Sequence, residues 1–175
     1  MVSRLLYAVQ KVGAILKEYL LTDEIIFDSK PDAVPYNYRI SYKLSQICLV
    51  IALCCSGRSG CSLIKLHILS CALNTQDNMN KLEKYVNEKI SYILVRFDPA
   101  INHAVKYALA EGLIFQLKNG TLKLTDKGKK LVREIKKDDN LMTREKEYLV
   151  KIGNKLTTEK IENLMSAWRY GNAED

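Results

Sequence analysis

Few residues in this chain could do chemistry, and they do not converge. His67 lies between Leu66 and Ile68, as a packed or surface histidine would, and His103 falls on the polar side of its helix. Neither has a serine, cysteine or carboxylate at the spacing that nucleophilic catalysis requires. Cys48, Cys54, Cys55, Cys61 and Cys71 are odd in number, form no C-x-x-C pair and lie in or beside apolar helices. They read as buried reduced thiols, not as a zinc site or a disulfide framework. Gly57-Arg58-Ser59-Gly60 lacks the length and the terminal Gly-Lys-Ser/Thr of a phosphate-binding loop, so it reads as a turn. No catalytic group, metal or cofactor is expected, and the chain is read as a non-enzyme.

What remains is charge. Formal net charge is +7, and Lys118 to Lys137 carries eight basic residues against Asp126 and Glu134, a local excess of +6. A patch of this kind attracts phosphate by releasing counterions; the plainer reading is a solvated helix face. Lys118, Lys123, Lys129 and Lys130 are the candidate contacts to double-stranded DNA, together with Lys106 on the preceding helix. With 47% apolar residues the chain can bury a core. No apolar run reaches the ~18 residues of a membrane span, and the N-terminus lacks the apolar block and cleavage site of a signal peptide, which points to the cytoplasm.

The elements that position these lysines run from Phe97 to Lys137. Asp98 caps a helix with Pro99 in its first turn, Ile101, Ala104, Val105, Ala108 and Leu109 recur at helical spacing, and Gly112 ends it. Lys118-Asn119-Gly120 joins two short alternating segments as a hairpin, and Thr125 or Asp126 caps a helix through Ile135. Helix, tight hairpin and helix in this order are the end of a winged helix. Upstream, Ile40 to Cys55 reads as a helix whose run from Ile47 to Cys55 is apolar on every side, so it should be central; Ser62 caps a helix through Leu73 whose Leu63, Leu66, Leu69 and Leu73 face inward. The expected core includes Ile47, Ile51, Leu66, Leu69, Val105, Leu109 and Leu124. Residues 75–90 form a polar helix read as an insertion, and Ser91 to Arg96 is a β-rich run that could add a third strand.

The fold class expected is mainly α with a small antiparallel β wing (α+β): a winged helix-turn-helix with extra helices at both ends. Residues 1–39 hold an amphipathic helix and an irregular strap, 40–137 the winged helix with its insertion near 75–90, and 138–175 a C-terminal helical pair. Two stripes exceed what such a core consumes: Leu5, Leu6, Val9, Val12 and Leu16 at one end, and Ile161, Leu164, Met165 and Trp168 at the other. Exposed patches mark interaction sites, so both are candidate partner interfaces, with packing onto the chain's own core as the alternative.

The runs ISYKLSQICLVIALC, CSLIKLHILSCALN, VRFDPAINHAVKYALAEGLI and NGTLKLTDKGKKLV together resemble the middle component of three-component ABC-ATPase defence systems, a group that includes the Lamassu antiphage systems. The resemblance covers about residues 36 to 137. Its most specific pieces are Val95 to Ala100 and Ala110 to Leu113. It implies a small non-enzymatic adaptor or regulatory subunit beside a large ATPase similar to structural-maintenance-of-chromosomes (SMC) proteins, and beside an effector that is often a nuclease. No catalytic residue carries over. The competing expectation is a homodimeric winged-helix transcription regulator, with the Pro99 helix in the major groove and Lys118 and Lys123 on phosphate.

Overall fold

In the computed structural model of the protein, the described residues are 39–171 without positions 56 and 58. They belong to one compact unit, residues 34–175. The N-terminal stripe (Leu5, Leu6, Val9, Val12, Leu16) and most of the strap lie outside the described residues.

The described chain is mainly helical: α1 Ile40–Cys54, α2 Leu63–Asn74, α3 Gln76–Val86, α4 Pro99–Ala110, α5 Asp126–Lys137, α6 Thr143–Ile152 and α7 Thr158–Gly171. Between α4 and α5 lies a two-stranded antiparallel sheet of β1, Ile114–Gln116, and β2, Leu122–Leu124. No described helix is long and apolar enough to cross a membrane.

Side-chain caps start five of the described helices, Thr157 accepting from the Lys160 N–H at 3.3 Å ahead of α7. Ser62, Thr75, Asp98 and Thr125 accept from the backbone N–H groups of Lys65, Asn78, Ala100 and Gly128 at 2.9–3.3 Å. Each satisfies a donor that a helix start leaves without a partner. The choice between Thr125 and Asp126 falls to Thr125.

α1 is the hub. Ile47, Cys48, Leu49, Val50, Ile51 and Cys54 are buried on it, and α2, α4, α5, α6 and β2 all pack against it. Covering each of its large side chains is worth about 1.5–3 kcal/mol. From the other elements, Leu66 and Leu69 on α2 and Ile101, Ala104, Val105 and Ala108 on α4 complete that core.

Several expectations are corrected. Leu109 is 37% exposed and Leu63 44% exposed. Leu109 sits past the end of the stripe, in the last turn of α4, and Leu63 is the first residue of α2; neither reaches the core. Leu124 is half-buried. Ser91 to Arg96 does not join the hairpin: the outer edge of β2 is taken by Cys61, whose N–H and C=O bond the C=O and N–H of Leu122 at 2.9 and 2.8 Å.

The C-terminal stripe is used internally. Ile161 and Leu164 are buried, Met165 and Trp168 pack on the core, and the Trp168 indole donates to the Ile93 carbonyl at 2.9 Å. The chain's own core thus takes up Ile161 and Leu164, and part of Met165 and Trp168. Trp168 also meets the Phe97 ring edge-on, with centroids 6.1 Å apart, and α3 buries Met79, Leu82, Tyr85 and Val86. Tyr148 on α6 donates to the Met79 carbonyl at 3.0 Å, and Tyr85 donates to the Lys160 carbonyl on α7 at 2.7 Å. α3 and the C-terminal pair are thus tied together within the same unit.

Candidate nucleic-acid interface

The hairpin holds its tip by local bonds. Gly120 has φ +80°, a left-handed value that glycine adopts without penalty. The Asn119 side chain accepts from the Thr121 N–H and hydroxyl at 3.2 and 2.8 Å, and Leu117 donates to the Thr121 carbonyl at 2.8 Å. These contacts present Lys118 to solvent. On the strands Phe115 stands opposite Lys123, so the two share a face, with Phe115 exposed and Lys123 half-exposed.

The junction from hairpin to α5 depends on an absent side chain. The Gly128 Cα comes so close to the turn after α4 that a Cβ there would lie 2.1 Å from the Leu113 carbonyl oxygen. Thr125 donates its N–H to that same carbonyl at 3.0 Å. This pins the start of α5, and with it Lys129 and Lys130, at the base of the hairpin.

Not every cation in the basic stretch is available. Lys127 pairs with Glu111 at 3.2 Å, Lys129 with Asp126 at 3.0 Å and Lys137 with Glu134 at 3.0 Å. All three pairs are well exposed, where such bridges contribute about 0–1 kcal/mol and yield readily to a stronger anion. Lys106, Lys118, Lys123, Lys130, Arg133 and Lys136 have no carboxylate partner among the described residues. The candidate lysines therefore occupy three consecutive elements: Lys106 on α4, Lys118 and Lys123 on the hairpin, Lys129 and Lys130 on α5.

The exposed face of α4 is chemically mixed. It carries Asn102, His103, Lys106 and Tyr107, with Glu111 just past its end. Asn102 is already engaged, its Oδ1 lying 3.0 Å from Nε2 of the buried His67 on α2.

Beneath that helix is a feature that residue types alone did not reveal. The Lys43 side chain, 1% exposed, reaches Asp98 Oδ2 at 2.8 Å, while Oδ1 of the same carboxylate caps α4. Burial works to raise the Asp98 pKa, but Lys43 and the Ala100 N–H outweigh it and hold the carboxyl below its ordinary value. The pair fixes the start of α4 against α1. The one available signal was a lysine one turn before the apolar run that begins at Ile47. Nearby, both amide atoms of the fully buried Gln46, Nδ1 of His67 and the Ser70 hydroxyl have no hydrogen-bond partner among the described residues.

The five cysteines are free and buried. Burial pushes the Cys48 and Cys54 thiols up to about 12, so neither is a nucleophile near neutral pH. No group of His, Cys, Asp or Glu among the described residues could hold a metal ion. A groove of about 510 Å³ opens where the chain enters α4, lined in part by Asn74, Asn78, Leu94, Arg96 and Phe97. Comparison with protein-family models, curated proteins and solved structures finds no match.

Proposed function

We propose that this chain is a winged helix-turn-helix protein acting as a non-enzymatic adaptor, which joins an SMC-like ABC ATPase to an effector nuclease in an antiphage defence assembly of the Lamassu type. In this reading α1, α2 and α4 are the three helices of the domain, Cys61 supplies its short first strand, and the β1–β2 hairpin is the wing. The order of these elements supports the fold. The resemblance carried by Val95 to Ala100 and Ala110 to Leu113 supports the family.

One observation favours the adaptor over a sequence-reading regulator: the partition of charge between α4 and the wing. Base edges are read by rows of exposed donors and acceptors, whereas phosphates ask only for cations. The α4 face offers one lysine, a tyrosine, an asparagine already bonded to His67, and Glu111 at its end. Lys118, Lys123 and Lys130, free of carboxylate partners, suit sequence-independent contact with double-stranded DNA.

Co-expression with an SMC-like ABC ATPase drawn from the genes that flank this one tests the reading. The expected result is stoichiometric co-purification, with DNA retained equally well whatever its sequence. A chain that co-purifies with no ATPase and instead protects one palindromic site is the homodimeric regulator.

A further inference from the structure

Three of the five cysteines gather where α1 ends. Cys54 is its last residue, Cys55 follows it, and Cys61 is the residue that bonds the edge of β2. Their thiols make different contacts. The Cys54 thiol donates to the Leu149 carbonyl on α6 at 3.4 Å. The Cys55 and Cys61 side chains are hydrogen-bonded to each other, with the Lys65 ammonium close enough to act on both. A groove of about 470 Å³ opens beside them, lined in part by Cys55, Ser59, Lys65 and Thr121. Cys55 is 8% exposed and Cys61 fully buried, so a small oxidant arriving through the groove meets Cys55 first, with Cys61 backed against it. A disulfide needs the two sulfurs about 2.05 Å apart. Cys61 is held by its two backbone bonds to Leu122, so the closing movement falls to Cys55, which already stands outside α1.

We propose that Cys55 and Cys61 are a modification site: a dithiol that a hydroperoxide converts reversibly into a disulfide. The hydrogen bond from Cys61, helped by Lys65, outweighs burial and holds the Cys55 thiol below its ordinary value, so Cys55 supplies the thiolate. Its sulfur attacks one oxygen of hydrogen peroxide and the O–O bond breaks. The departing hydroxide takes up the proton that Cys55 had released and leaves as water, and Cys55 is now a sulfenic acid. The Cys61 thiol is pushed up by its hydrogen bond to Cys55, then by burial and by the Cys55 charge. The hydrogen bond to a thiolate and the charge both vanish once Cys55 is a neutral sulfenic acid, which frees Cys61 to attack. The S–S bond forms, the Cys55 S–O bond breaks, and the hydroxyl leaves with the Cys61 proton as a second water. Two thiols have lost two electrons and one peroxide has gained them. A thiol reductant restores the pair.

Trypsin separates the two cysteines, because it cuts after Lys43, Arg58 and Lys65. The full chain is exposed to micromolar hydrogen peroxide under native conditions, its free thiols are blocked, and the digest is read by mass spectrometry without reductant. The expected product is a cross-link between residues 44–58 and 59–65, assigned to Cys55 by fragmentation and lost on adding dithiothreitol. Iodoacetamide should label Cys55 in the native chain at least about tenfold faster than Cys48, whose thiol burial pushes the other way. Cys61→Ala should leave Cys55 as a sulfenic acid that dimedone traps, while Cys54→Ala keeps the link. Should Cys61→Ala fail to fold, the cross-link map of the unmodified chain still decides. A link from Cys48 or Cys54 in place of Cys55, a link that forms only in urea, or a Cys55 that stays reduced while peroxide oxidises the methionines would each overturn the dithiol.

Discussion

Asp98 does two jobs with one carboxylate, capping α4 through Oδ1 and neutralising the buried Lys43 through Oδ2. Asp98→Ala would strand an ammonium group in the core, at a cost of about 3–5 kcal/mol. The pH dependence follows from the lowered carboxyl. In the acid range the unfolded chain binds the proton more readily than the folded one, so the stabilisation is fully present above the unfolded carboxylate value, about 3.9. It is lost as pH falls through the folded value. Urea melts from neutral pH downward should show this loss in the parent chain and a flatter acid limb in Asp98→Asn. Gln46 presents the opposite case. It is fully buried with both amide atoms unsatisfied, and such a group costs about 1–3 kcal/mol. Gln46→Met, which keeps the length and discards the polar atoms, is expected to stabilise the fold by up to that amount. A destabilised variant would show that the amide is paired.

The junction between the hairpin and α5 is set by a steric requirement and a cap acting together. Gly128 permits the close approach to the Leu113 carbonyl, and Thr125 makes it favourable by bonding the same oxygen. Gly128→Ala forces the helix start away from backbone that cannot yield, with an expected cost of about 1–3 kcal/mol or more in thermal or urea melts. Gly112 makes a useful contrast: its φ is +63° but a Cβ there meets nothing within 4 Å. Gly112→Ala therefore bears only left-handed strain, about 1–2 kcal/mol. α1 and α4 differ in the same instructive way. Ile51→Ala opens a cavity in the hub and should cost about 2–5 kcal/mol, while Leu109→Ala, at a partly exposed position, should cost well under that.

For the molecule as a whole, charge placement governs what it can approach. The basic excess between Lys118 and Lys137 lies on the hairpin and one face of α5, and the three ion pairs within it are exposed and weak. If these cations meet phosphate, binding falls with salt, and each contact removed flattens the slope by about 0.9. Charge reversal at Lys118, Lys123, Lys129 and Lys130 should therefore weaken binding to unrelated DNA sequences equally and flatten the salt dependence. Filter-binding titrations at several salt concentrations measure both. Unchanged binding would leave the lysines as a solubilising surface.

Local features were legible from residues alone, because local interactions set them. The caps at Ser62, Asp98 and Thr125, the Asn119-Gly120 turn, the apolar girth of α1 and the stripe on α4 each depend on neighbours within about four positions. The candidate lysines were legible for the same reason, since a charge run is a property of the chain. Pairing at a distance was not. Spacing could not say that Cys61 would take the edge of β2 in place of Ser91 to Arg96, since both are short segments with free backbone. Nor could it say that Lys43 would meet Asp98 inside the core. The C-terminal stripe shows the limit most clearly. Ile161, Leu164 and Trp168 formed the same amphipathic pattern whether they served a partner or the chain itself, because a hydrophobic face specifies burial without naming what buries it. Only the tertiary arrangement, which sets α3 against α6 and α7 and turns Trp168 onto the Ile93 carbonyl, decided that the molecule covers that face itself.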